Sequence, residues 1–128
     1  MLLSQSIDKG IWFIGQKQYE LVPEYGKRLD VMLLPLRQSK WAEAVNPLKL
    51  KEYLALGKPV VSTSFPELNK YKDVVYNADA PDAFAECIKT AISQDNQDLI
   101  NKRKAKVRDA SWDSKAAIVL KELFGKEL

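Results

Sequence analysis

The chain of 128 residues contains no histidine and one cysteine, Cys87. Without histidine, the commonest general base and the commonest metal ligand are both missing. A lone thiol forms no internal disulfide and suits a reducing compartment. It also leaves too few ligands for a zinc site, and no Ser–His or Cys–His nucleophile can be built. Cys87 falls in an apolar helical pattern with Phe84 and Ile88, where a thiol serves as a small hydrophobe. No clustered Asp/Glu motif suggests magnesium, so no metal is expected. No apolar run approaches the roughly 20 residues of a membrane span, and no signal peptide is visible. A cytoplasmic protein is expected. A strong charge imbalance is missing too: 20 basic against 17 acidic residues leave +3, too balanced to argue for nucleic acid by itself.

The bulk composition is that of an ordinary globular domain. At 46% hydrophobic and 29% charged residues, disorder is excluded. The length fits one domain, residues 1–128, with a core that needs no covalent staples.

The most specific stretch is 46–63, Asn-Pro-Leu-Lys-Leu-Lys-Glu-Tyr-Leu-Ala-Leu-Gly-Lys-Pro-Val-Val-Ser-Thr. Asn46 is a preferred N-cap, because its side-chain oxygen can accept from an orphaned amide of the first turn. Pro47 fits the first helical position, where its missing N–H costs nothing. Gly57 closes the helix at a position open to positive φ, and Pro59 forbids continuation. Val60, Val61, Ser62 and Thr63 then read as a short buried strand. Within the helix, Glu52 projects between Leu48 and Leu56, and Lys49 between Tyr53 and Leu56. A helix without a clean polar face packs on more than one side, and an unpaired buried carboxylate is costly. Lys49, three residues back, can supply an ion pair. The alternative is a hydroxylated or phosphorylated ligand held at the helix N-terminus. Spacing leaves both open.

Along the rest of the chain, residues 1–9 are weakly patterned and read as a lead-in. Ile11, Trp12, Phe13 and Ile14 form a dense apolar strand ended by Gly15, with Trp12 and Phe13 as core residues. Residues 19–28 read as a helix with Pro23 in its first turn and Tyr19 and Tyr25 as packing residues. The run 29–36 suits a parallel strand covered on both faces. A polar loop at 37–45 contains Trp41, which is equally suited to an interface or to a ligand pocket. A short helical turn at 66–71 and a strand at 74–76 follow. An amphipathic helix at 81–93 precedes a more polar one at 98–108, and a helix at 112–124 closes the chain, with Ser111 or Asp113 capping it. This alternation predicts an α/β fold, a parallel sheet with right-handed crossovers. Ligands of such sheets bind beyond the carboxyl ends of the strands, where the loops 15–19, 35–46 and 62–67 and the start of the Asn46 helix converge. The basic run Lys102-Arg103-Lys104, Lys106, Arg108 reads as a solvated helix face or as a patch for anionic lipid headgroups. No interleaved aromatics support nucleic acid.

The order of these motifs resembles a known family. Phe13-Ile14-Gly15, the Tyr-Glu-Leu helix start at 19–21, Leu29-Asp30-Val31 through Pro35, the 46–63 segment and Ser111-Trp112 before a closing helix carry the resemblance. Together they resemble the C-terminal, donor-binding domain of GT-B-type retaining glycosyltransferases (the glycosyl transferases group 1 class), over nearly all of the chain from Ile11 onward. The resemblance implies a three-layer, Rossmann-like parallel sheet flanked by helices, an incomplete half of the GT-B architecture. It implies a nucleoside-diphosphate sugar as substrate, no metal, and transfer to a saccharide or lipid-linked acceptor in polysaccharide biosynthesis. By position Glu52 corresponds to the family's ribose-binding glutamate. The amides of Asn46 and Leu48 would receive the diphosphate, with Lys49 adding positive charge and the loop at Gln16 reading the nucleobase. The first glutamate of the family's pair falls on Ala44, and Glu43 is out of register, so that sugar-contacting role has no owner here. No catalytic residue is assigned.

The resemblance also implies that the chain lacks an earlier strand and helix of the domain, and the whole acceptor domain. It reads as part of an enzyme, completed by a missing N-terminal domain or a partner chain. Two other classes remain open: a non-catalytic nucleotide-binding subunit, and an interaction domain that keeps the fold without its ligand. Localisation would be cytoplasmic, with peripheral contact at an anionic membrane. The isolated chain is expected to transfer no sugar; sustained glycosyl transfer by a purified sample would contradict this.

Overall fold

The computed structural model describes residues 10–125 and the backbone of 5–7; most of the lead-in expected at 1–9 lies outside the described residues. In chain order the elements are β1 (Gln5–Ile7), β2 (Ile11–Phe13), α1 (Val22–Lys27), β3 (Met32–Leu34), α2 (Lys40–Ala44), α3 (Leu48–Ala55) and β4 (Val60–Ser62). They continue with β5 (Tyr76–Asn77), α4 (Pro81–Ser93), α5 (Gln97–Lys106) and α6 (Trp112–Phe124). Short 3-10 turns occupy Tyr19–Leu21, Pro66–Tyr71 and Arg108–Ala110.

β3, β4 and β5 form a parallel sheet in that order, with Met32 beside Val60 and Val61 beside Tyr76. The α/β class and the parallel sheet therefore stand as expected. Val60, Val61 and Ser62 are all fully buried. Successive strand residues point to opposite faces, so both faces of the central strand are covered. Leu50 and Leu54 of α3 join Met32, Leu34, Val60, Phe65 and Leu68 in the core. The strand ends are stitched by hydroxyls. Ser62 Oγ reaches the carbonyls of Leu34 (3.1 Å) and Thr63 (2.8 Å), and Thr63 Oγ1 donates to Leu36 O at 2.7 Å.

Two strand expectations are corrected. β3 is covered on one face only: Met32 and Leu34 are buried while Leu33 is 42% exposed. Its outer edge has no neighbour among the described strands. β2 does not join the parallel sheet but pairs antiparallel with β1, Ser6 facing Trp12. Its apolar residues are consequently exposed, Trp12 at 64%, instead of lying in the core. Apolar density identifies a strand but not its partner. A local hairpin satisfies the backbone at little loop-closure cost.

Local signals set most helix ends. Ser111 accepts from Ser114 N at 3.1 Å to cap α6, and Asn96 accepts from Leu99 N at 3.0 Å to cap α5. Ser39 caps α2 through Ala42 N at 3.2 Å, so the expected polar loop holds a short helix. Val74 and Val75 are buried just before β5, which begins later than the expected strand.

The start of α3 also differs. Pro47 keeps an extended ψ of 124° and occupies the cap position, with no side-chain cap bond. Asn46 Oδ1 instead accepts from Lys51 Nζ at 2.9 Å. A charged donor makes the stronger hydrogen bond, and this one takes the side chain away from the first-turn amides.

At its other end α3 is clamped. Gly57 adopts φ 76°, the left-handed conformation that lets a helix stop. A Cβ there would lie 2.7 Å from Ile100 Cγ2, so α5 rides directly over the turn. Arg103 of α5, 2% exposed, donates to Gly57 O at 3.0 Å and pairs with Asp95 Oδ1 at 2.6 Å. Its guanidinium thus meets the carbonyl-rich, partially negative end of α3. Within the basic run, Lys106 Nζ lies 2.9 Å and Lys102 Nζ 4.0 Å from Asp73 carboxylate oxygens. Three of the five cations are therefore engaged within the fold. Among the described residues no helix is long and apolar enough to cross a membrane.

Replacing Arg103 by Met removes one partner of a buried pair. We expect a stability loss of about 3 kcal/mol, the lower end for such changes, because Asp95 keeps access to water. Urea denaturation measures it; a loss below about 0.5 kcal/mol, typical of a surface substitution, would contradict the clamp.

Candidate functional site

The site is built where α1 meets α3. Gly26 is buried on α1, and a Cβ at that position would overlap the side chain of Leu56, which caps the end of α3. Glycine therefore permits the close approach. Pro23, in the first turn of α1, fixes the entry of the chain, so the preceding turn Tyr19–Leu21 lies alongside α3.

That approach produces the contact that organises the site. Tyr19 Oη donates to Glu52 Oε1 at 3.2 Å, across 33 residues of sequence. Between the two segments runs an open groove of about 340 Å³, with apolar walls from Val22, Pro23, Ala55 and Leu56. Its polar groups include the Glu52 carboxylate and the Tyr19 hydroxyl. An apolar groove with a few convergent polar groups is the ordinary form of a small-molecule site.

The titration behaviour follows from the same contact. The hydrogen bond to Glu52, and then its charge, push the Tyr19 phenol above its ordinary value, with desolvation adding in the same direction. At neutral pH Tyr19 therefore stays protonated and donates. Tyr53, on the same helix, is raised chiefly by burial and secondarily by the Glu52 charge.

The residues singled out in the sequence fall unequally around this groove. Glu52 is half-buried and lines it. Its neutral partner is Tyr19; no ion pair joins it to Lys49 among the described residues. Lys49 and Leu48 are exposed on the first turn of α3, about one helical turn from Glu52. At that end the first amides lack intrahelical acceptors. Asn46 is exposed with its side chain bound to Lys51. Gln16 is exposed in the loop after Gly15 and makes no hydrogen bond to the others. The structure thus joins Glu52 to Tyr19, keeps Lys49 and Leu48 nearby on the same helix, and leaves Gln16 apart.

Tyr19 is the residue that reading the sequence misses. It was expected to pack within its helix, yet it is 70% exposed and reaches a carboxylate distant in sequence. The available signal was a carboxylate set among leucines, for which Lys49 was the only local partner on offer. Trp41, on α2, is 65% exposed and lies outside the groove lining.

The loops at the strand ends also come together. Gln38 Nε2 donates to Ser64 O at 2.8 Å, and Ser64 donates through N and Oγ to Asp79 carboxylate oxygens, both at 2.7 Å. These bonds, the backbone one first, hold the Asp79 carboxyl below its ordinary range. A smaller cavity of about 250 Å³ lies between Val74–Tyr76 and Leu99, against the already committed Arg103.

The chain matches the family model described as "Glycosyl transferases group 1" over residues 2–94. The chain belongs to this family of GT-B-type glycosyltransferases. The matched span contains both walls of the groove, Tyr19 and Glu52 included. The chain is also similar to the "Putative teichuronic acid biosynthesis glycosyltransferase TuaH" of Bacillus subtilis (strain 168). Identity is 36% over 108 residues, covering 80% of this chain and 27% of the relative. This group 1 glycosyltransferase chain therefore spans about a quarter of that relative's length. No solved structure matches. The parallel sheet with its covering helices is consistent with a Rossmann-like half of the GT-B architecture.

Proposed function

We propose that this chain is the donor-binding portion of a glycosyltransferase and takes a nucleoside-diphosphate sugar. The observation that carries the reading is the half-buried Glu52 carboxylate in an apolar groove, one turn from the start of α3. An ionised carboxylate is an acceptor-only group, which suits a ribose diol. The groove's apolar walls suit the flat face of a base or sugar ring. The unpaired amides at Leu48 and Lys49 and the Lys49 ammonium suit the diphosphate, since helix N-termini favour anions. Asn46 and Gln16 would border the diphosphate and the nucleobase respectively.

In this reading hexosyl transfer needs no metal contributed by these residues. Positive groups and amides stabilise the charge developing on the departing diphosphate. The acceptor would be a saccharide or a lipid-linked saccharide in polysaccharide synthesis, a class in keeping with the relative's name. An acceptor-binding domain or partner chain would complete the enzyme. The exposed Trp12, Phe13 and Leu33, and Ile118 and Leu123 on α6, are apolar surface that such a portion can cover.

Calorimetric titration with UDP, GDP, ADP and their sugars tests this. At least one is expected to bind, and Glu52→Ala to weaken it roughly 100-fold, as for losing two hydrogen bonds to a charged group. Equal affinity of the variant would contradict the role of Glu52.

A further inference from the structure

Tyr19 stands beside Glu52 on the wall of the groove. Its hydroxyl bonds Oε1 at 3.2 Å, and its side chain lines the groove. A carboxylate offers about four acceptor sites. One tyrosine hydroxyl therefore leaves room on both oxygens for a diol. The tyrosine oxygen, while donating its hydrogen bond to Glu52, keeps lone pairs that can accept from a ligand hydroxyl. The geometry also restrains Glu52, whose side chain has no other hydrogen-bond partner among the described residues.

We propose that Tyr19 is a positioning residue for the ligand diol: it holds Glu52 Oε1 so that the carboxylate faces the groove, and it completes a two-residue reader of ribose hydroxyls. This rests on the donor-binding reading and extends it from the carboxylate to the opposite wall. Its chemical content is discrimination. A ligand with both ribose hydroxyls engages the Tyr19–Glu52 pair, whereas a 2′-deoxyribonucleotide leaves one acceptor of the pair unmatched. Unmatched polar groups in a site built for hydroxyls are what reject analogues lacking them. The arrangement depends on α1 lying close against α3, so Gly26 serves it from below.

Two measurements on the full chain test the proposal. The first needs no ligand. In Glu52→Gln the tyrosine keeps a hydrogen-bonding neighbour but loses the charge. Its phenol, followed by NMR of ring-labelled tyrosine with Tyr19→Phe for assignment, is expected to titrate lower than in the parent chain. The second compares UDP, GDP and ADP with their 2′-deoxy counterparts. Tyr19→Phe keeps the ring and removes only the hydroxyl. It is expected to weaken the bound ribonucleotide roughly tenfold, as for one hydrogen bond to a charged group, with little change for the deoxy form. A purely packing role would move both nucleotides together, and equal weakening would overturn the proposal. So would tighter ribonucleotide binding in Tyr19→Phe, which would make the tyrosine a plug. An unshifted phenol in Glu52→Gln overturns it whatever the nucleotides do. A shifted phenol with no nucleotide bound by the parent chain overturns the donor-binding reading and leaves the Tyr19–Glu52 lock standing.

Discussion

The placement of α3 is the constraint on which the site depends, and Arg103 is the group that fixes it. A guanidinium taken out of water needs partners for its donors. It finds the Gly57 carbonyl and the Asp95 carboxylate. The first ties it to the end of α3, the second to the turn that opens α5. With Gly57 in the left-handed conformation, the chain leaves the helix and passes through Pro59 into the fully buried β4. The core residues Leu50 and Leu54 then set the rotation of α3, and that rotation turns Glu52 toward α1.

The second support is steric. Gly26 lets α1 approach until its backbone lies against Leu56, and Pro23 sets the direction from which the Tyr19 turn arrives. A larger residue at 26 would have to displace the end of the Leu56 side chain, which lines the groove. The groove therefore has one wall on a helix, α3, and the other on the Tyr19 turn and the start of α1. The polar stitching of Ser62, Thr63, Ser64 and Asp79 is separate. It closes the strand ends with internal bonds and keeps few free donors for anything else.

Features encoded within a few residues were legible in the sequence. Pro81 opens α4, Ser111 caps α6, and Gly57 with Pro59 ends α3, each by a mechanism confined to one turn. The parallel α/β class followed from the alternation of such elements. What was not legible is non-local. The apolar run 11–14 announced a strand without saying which neighbour it would take, and it took a hairpin partner. Arg103 looked like one member of a basic run, because nothing in 102–108 reveals that Gly57 and Asp95 wait for it. Asn46 had the right chemistry for a cap but lost it to the Lys51 ammonium. Glu52 was recognisable as a carboxylate out of place; its partner Tyr19 was not, because only the α1–α3 contact brings them together.

The central claim is that one ligand site runs from the first turn of α3 to the Tyr19–Glu52 pair. Backbone amide NMR of the isotopically labelled chain during nucleoside-diphosphate titration locates binding without presuming the residues. The account predicts that the largest shifts fall on the amides of Leu48, Lys49, Tyr19, Glu52 and Ala55. Shifts concentrated instead around Val75, Tyr76 and Leu99, at the cavity beside Arg103, would contradict it.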